Sequence, residues 1–206
     1  ANAPIGPLML KLAVPAVAAQ VINMLYNIVD RIYIGHIPEV GDIALTGVGV
    51  TFPIIMLVSA FAAFAGQGGA PLASIQLGAG NREKAEKILG NSLTLLLIAA
   101  VALTVGFSIF KEPILYAFGA SENTIGYAMD YIGIYLIGTI FVQLALGLNT
   151  FISAQGKALV AMLSVLIGAV LNICLDPVFI FGLHMGVKGA ALATILSQAV
   201  SAAWVV

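Results

Sequence analysis

Six stretches of this chain, roughly residues 8–34, 44–76, 88–110, 123–152, 158–182 and 188–206, stay mostly apolar for about twenty residues or more. A helix rises about 1.5 Å per residue, so ~20 such residues cross the hydrocarbon core of a bilayer. Composition says the same. Of 206 residues 61% are hydrophobic and only 8% are charged, and the mean hydropathy is +1.10. Water-facing domains carry roughly 25% charge. The expected fold class is all-α integral membrane, a six-transmembrane-helix bundle, and not a soluble domain.

Eight basic and nine acidic residues nearly cancel, so no net charge points to nucleic acid. The single cysteine, Cys174, gives neither a disulfide framework nor a metal cluster. The apolar run from Leu8 continues to Val29, too long for the core of a cleavable leader, and reads as a first spanning helix. Pro15 should bend that helix. The second and fourth segments exceed a minimal span and should tilt, kink or protrude, with Gly66-Gln67-Gly68-Gly69 and Pro71 a break in the second. Glu83 and Lys87 form an i,i+4 pair. Lys111-Glu112-Pro113 opens the third connection, and Ser121 caps the helix that follows. No Ser-His-Asp, paired-Cys or His-Glu-x-x-His pattern occurs, so the chain is not expected to be an enzyme.

Cytoplasmic loops are enriched in Lys and Arg. An inside N-terminus puts Lys11, Arg82, Lys84, Lys87 and Lys157 in the cytoplasm, and Lys111 and Lys188 outside. That orientation is expected, in a cell (plasma) membrane. The chain starts at Ala1 without Met and stops at Val206 in an apolar helix. An even number of helices ending on the starting side suits a unit followed by a parallel second copy.

Polar residues inside apolar spans carry the chemistry. Asp30 and Asp176 each cost a few kcal/mol at mid-bilayer unless paired or hydrated. Asp30 lies 19 residues after Lys11, and Asp176 lies 19 after Lys157, so the two carboxylates reach one depth. Thr194, on a helix running back inward, lies six residues after Lys188, again at a similar depth. Gln20, Asn23, Asn27 and Asp30 share one face of their helix, as do Ser164, Gly168, Asn172 and Asp176. Thr194, Gln198 and Ser201, and Tyr135, Thr139, Gln143 and Asn149, extend the pattern. Lipid satisfies none of these groups, so they must face one another or a water-filled cavity. The bland alternative is interhelical glue, at about 0.6 kcal/mol per hydrogen bond. Facing carboxylates with an amide and a hydroxyl supply oxygen ligands for Na⁺, and the same pair can carry H⁺; the sequence does not separate the two.

The stretch Leu171-Asn172-Ile173-Cys174-Leu175-Asp176-Pro177-Val178-Phe179-Ile180-Phe181-Gly182, with Gly186-Val187-Lys188-Gly189-Ala190-Ala191-Leu192-Ala193-Thr194, strongly resembles the multidrug and toxic compound extrusion (MATE) transporters. So does Asn27-Ile28-Val29-Asp30-Arg31-Ile32-Tyr33-Ile34-Gly35. Gly78-x-Gly80 before Ala85, and Phe118-Gly119-Ala120-Ser121, are similar to the same family. The resemblance implies a twelve-helix, two-lobed antiporter that exports organic cations, drugs or toxic metabolites against Na⁺ or H⁺, with no other cofactor. Residues 1–206 would be its N-terminal six-helix lobe, partnered by the bilayer and by a second lobe or a second copy of the chain. The implied ion-coupling site is Asp30, Asn172, Asp176 and Thr194, the only place for a metal ion. Asn23, Tyr26, Tyr131 and Asn149 would line the substrate cavity, and a bend at Pro15 would accompany ion binding.

Two rivals stand beside this reading. A lipid or lipid-linked sugar flippase of the same superfamily would need a basic cavity, where these faces carry acids and amides. A non-transporting scaffold or receptor would need no carboxylates at matched depth.

Overall fold

The computed structural model describes residues 5–206. Its helices are α1 (Ile5–Gly35), α2 (Gly41–Val50), α3 (Phe52–Gly78), α4 (Arg82–Ala117), α5 (Ile125–Ile137), α6 (Thr139–Ala154), α7 (Ala158–Pro177) and α8 (Val187–Val205). They group into six rods, because α2 runs on into α3, α5 into α6, and α7 into a π-helical turn, Val178–Gly182. α1 packs on α7, α3 lies between α4 and α6, and α8 is wedged among α5, α6 and α7.

Packing differs along the bundle. One end closes on large side chains such as Ile34, Ile54, Leu115, Ile132, Leu136 and Ile180. Towards the other end the buried residues are mainly alanines, with Leu96, Leu148 and Phe151. Glycines carry the close approaches there. A Cβ on Gly66 of α3 would sit 2.7 Å from the Gly147 carbonyl oxygen of α6. Helices in lipid associate through such small-residue contacts, since apolar burial alone gives them no advantage over lipid tails.

Four helices are long and apolar enough to cross a membrane, and the bent pair α5–α6 makes a fifth. α8 falls short on hydropathy because Lys188, Thr194, Ser197, Gln198 and Ser201 crowd its nineteen residues. Thr194, Ser197 and Ser201 are buried against the bundle, so lipid never meets them.

Several local expectations are corrected. α3 runs unbroken through Gly66–Pro71, and the interruption lies at Thr51, between α2 and α3. Those glycines serve packing instead: Gly69 faces Ser92 and Phe151. Lys111-Glu112-Pro113 does not open a connection, because α4 continues to Ala117, anchored by the fully buried Leu115. Ser121 is not a side-chain cap; α5 starts at Ile125, and the Thr124 hydroxyl accepts the Ser121 N–H at 2.9 Å. The Glu83–Lys87 pair forms, at 2.7 Å, beside a second pair, Arg82–Glu86, at 2.9 Å.

The fourth segment is bent by 59° between α5 and α6. Gly138 sits at the corner, and the Ile195 side chain of α8 occupies the space where a Cβ would project. The Thr104 hydroxyl of α4 donates to the Leu136 carbonyl at 2.9 Å, supporting a backbone acceptor at the corner.

Candidate functional site

α7 brings two of the expected site residues to its end. Asn172 and Asp176 are one turn apart on the buried face that also holds Ser164 and Gly168. Pro177 follows; it has no N–H to extend the α-helical ladder, and the chain passes into a π turn closed by the Leu183 N–H on the Val178 carbonyl at 2.8 Å. Gly186, at φ 55° and ψ −132°, then reverses the chain into α8, a conformation that only glycine adopts readily. Gly189, one turn into α8, lets the helix lie directly on the backbone of Phe179 and Ile180. Thr194 thereby comes opposite Asn172.

The four expected residues converge. The Asn172 amide, from Nδ2, donates to Asp176 Oδ1 at 3.3 Å and reaches Thr194 Oγ1 at 3.4 Å. Across the α1–α7 contact the Asp30 carboxyl faces that of Asp176. All four are buried, Asp176 completely. Three oxygens at the centre have no partner: Asp30 Oδ1, Asn172 Oδ1 and Asp176 Oδ2. Each is an acceptor, so the space among them suits a positive group or a hydrogen-bond donor. Two ionised carboxylates side by side need a cation or a shared proton between them. A Na⁺ ion fits this donor set, since it takes oxygen ligands from carboxylate, amide and hydroxyl groups. The site opens on two chambers. One, termed inner for its place towards the start of α1, measures about 380 Å³ and is reached by Pro15, Asn23, Tyr26 and Asn149; the other, termed outer, measures about 470 Å³ and is reached by Asn23, Tyr26, Asp30 and Tyr131. The two spaces share Asn23, Tyr26, Ser59, Leu146, Thr194 and Gln198 as walls. Asn149 is held by its amide donating to the Ala161 carbonyl at 3.2 Å, which leaves its Oδ1 without a partner.

One lining stripe escaped the sequence reading. Ser59, Ala63 and Gln67 of α3 all reach the inner chamber. Their spacing of four residues was a legible signal, hidden by the apolar residues around it. Gln143 and Thr139, by contrast, line neither chamber: Gln143 donates to the Val58 carbonyl at 2.8 Å and ties α6 to α3. Pro15 lies inside a continuous α1 and on the wall of the inner chamber.

Comparison with known proteins gives one answer. The family model MatE matches residues 15–178. The chain is 31% identical over 193 residues to the multidrug export protein MepA of Staphylococcus haemolyticus, covering 94% of this chain and 42% of that protein. It is 28% identical over 204 residues to a FAD transporter of Shewanella oneidensis, covering 97% of this chain and 44% of that one. A crystal structure of MATE in the bent conformation superposes with a TM-score of 0.89 at 31% identity, over 96% of this chain and 44% of its own. The chain therefore spans less than half the length of the relatives it matches.

Proposed function

Because this chain belongs to the MatE family, the multidrug and toxic compound extrusion transporters, we propose that it is the N-terminal lobe of a cation-coupled exporter and not an enzyme. The full transporter would exchange Na⁺ or H⁺ for organic cations, drugs or toxic metabolites, with a second lobe or a second copy completing the pathway. The observation that carries this reading is the convergence of Asp30, Asn172, Asp176 and Thr194 around three unpartnered buried oxygens.

The geometry suggests how coupling works. Asp30 belongs to α1, whose main packing partner is α7, the helix of Asp176. A cation between the carboxylates draws the two helices together. Further along α1, Pro15 removes one backbone hydrogen bond where the helix borders the inner chamber. A bend there moves the wall formed by Gln20 and Asn23 and reduces the space for substrate. Ion binding and substrate release are then alternatives, as antiport requires.

The direct test is efflux by full-length protein in liposomes under imposed Na⁺ or pH gradients. Export driven by at least one gradient is expected; export indifferent to both sinks the coupling. Thr194→Val should weaken any Na⁺ dependence by about tenfold while sparing H⁺ dependence, since a hydroxyl ligates Na⁺ but does not hold a transported proton.

Orientation has its own test. With an N-terminus inside the plasma membrane, His36→Cys and Glu86→Cys, each in a Cys174→Ala background, lie on opposite sides. Both positions are exposed in turns or helix ends. An impermeant maleimide added to intact cells should label the first and spare the second until the cells are opened. Equal labelling of both in intact cells refutes the orientation.

A further inference from the structure

Asp30 and Asp176 each stand about one turn short of a connecting turn, and the turn of helix beyond each is apolar. On α1 it carries Tyr33 and Ile34, three and four residues past Asp30 and so on its face of the helix. Past Asp176 it is the π turn, whose wider winding brings Ile180 and Phe181, four and five residues on, round to the side of α1. Ile34 and Ile180 are buried, with 0% and 3% of their surface exposed. The Tyr33 and Phe181 rings meet edge to face, centroids 6.3 Å apart and planes at 76°. α8 closes a third side, with Gly189 against the backbone of Phe179 and Ile180. The four side chains belong to one packed apolar cluster, and none of them lines either chamber. Beyond them come the exposed His36 and His184 of the two turns.

This layer has a consequence for coupling. Asp30, Asn172, Asp176 and Thr194 all come from α1, α7 and α8, within a single lobe. In a two-lobed exporter, movement of one lobe against the other opens and shuts the chambers. It does not shut a path that runs inside one lobe. A path from the turns to the two carboxylates would stay open in every state, and a cation entering by it would leave through a chamber without exchanging for substrate. A fixed apolar layer prevents that: an ion crossing it sheds its water, and the buried Ile34 and Ile180 offer no oxygen in return.

We propose that Tyr33, Ile34, Ile180 and Phe181 form a static plug that bars the cation site from the side of the turns, so that ions reach it only through the chambers. The proposal rests on the cation-coupled reading of Asp30 and Asp176. It adds residues that keep the coupling tight without serving as ligands.

The test uses full-length transporter in liposomes, with Na⁺- and pH-reporting dyes trapped inside and no substrate present. An imposed gradient should decay slowly across the parental protein. Tyr33→Ala and Phe181→Ala should each speed the decay of the coupling ion's gradient at least about fivefold, because the gap left by a ring lets water follow the ion. Tyr33→Phe, which keeps the ring, should stay within about twofold of the parent. Adding Asp176→Asn to either alanine variant should abolish the extra leak, since the ion must pass through the cation site; general loosening of the bundle would not depend on that carboxylate. Thermal unfolding checks each variant. A second measurement decides the matter if the alanine variants fail to fold. In a background without other cysteines, Ile34→Cys should react with a charged thiosulfonate, added on the side of the turns, at least about tenfold more slowly than His36→Cys. Equal reactivity of the two overturns the proposal. So do well-folded alanine variants that leak no faster than the parent, and a leak that survives Asp176→Asn. Parental export that answers neither gradient defeats the coupling reading; gradient-driven export with tight alanine variants defeats this inference alone.

Discussion

Asp30→Asn and Asp176→Asn, made singly in the full-length transporter, are each expected to cut gradient-driven efflux by about a hundredfold while the protein still folds and inserts. The amide keeps the size of the carboxylate and can still hydrogen-bond, so the packing of α1 on α7 has little reason to change. What it removes is negative charge in a buried site, where one contact to a charged group is worth on the order of 3 kcal/mol. Glue behaves in the opposite way. If the acids served only to hold helices together, an amide would bond across them equally well and end the burial of charge, so stability would hold or rise and efflux would persist. Efflux in liposomes, paired with thermal unfolding of each variant, separates the two. Well-folded Asp30→Asn and Asp176→Asn proteins that both export at the parental rate, with the parental gradient dependence, return the pair to a structural role.

The second large effect is expected at Gly189. A Cβ there would lie 2.7 Å from the Phe179 carbonyl carbon, 2.8 Å from its oxygen and 2.9 Å from the Ile180 nitrogen. All three are backbone atoms of the π turn, so no side chain can swing aside. Gly189→Ala should therefore cost about 2–3 kcal/mol, at the upper range for overpacking. The damage extends past stability, because this contact sets α8 against the end of α7 and so places Thr194 opposite Asn172. Gly106→Ala is the control. Gly106 lies inside α4 with open space where a Cβ would go, and alanine there should stabilise by about 0.5–1 kcal/mol through helix propensity alone. Thermal unfolding of both variants checks the pair. Equal midpoints for Gly189→Ala and Gly106→Ala would contradict the close contact.

The rods were legible in the sequence because length and apolarity are local properties. Each expected segment falls on a helix or a pair of helices, and the ends are adjusted by a few residues where polar pairs such as Arg82–Glu86 extend a helix into its connection. The interruptions were not legible. Pro71 looks like a break but fits inside α3, whereas the real corner, Gly138, is made by Ile195 entering from a helix far along the chain. A corner that depends on a distant partner leaves no local mark. The meeting of Asp30, Asn172, Asp176 and Thr194 was readable for a different reason: a carboxylate in an apolar run is costly, and two at one depth name their own neighbourhood. The stripe Ser59, Ala63, Gln67 had the right spacing but only two polar members, and neither carries charge. Arg31 stands next to Asp30 in the chain, but its seat on Phe52 required the third dimension.

The dependence of α1 on α7 also dictates an order of assembly. α1 leaves the ribosome before α2 to α8, yet among its residues with described side chains only Asp30 and Ile34 are buried. It touches α2, its immediate successor, far less than it touches α7. Asp176 follows Asp30 by 146 residues. At synthesis rates of about 5–20 residues per second, Asp30 waits some 7–30 seconds for its partner. During that interval a lone carboxylate must rest near the membrane surface, in the insertion machinery or in protonated form. The Asp30–Asp176 pair is thus among the last parts of the bundle to form, and a chain arrested before α7 would carry an unmatched acid that quality control could recognise.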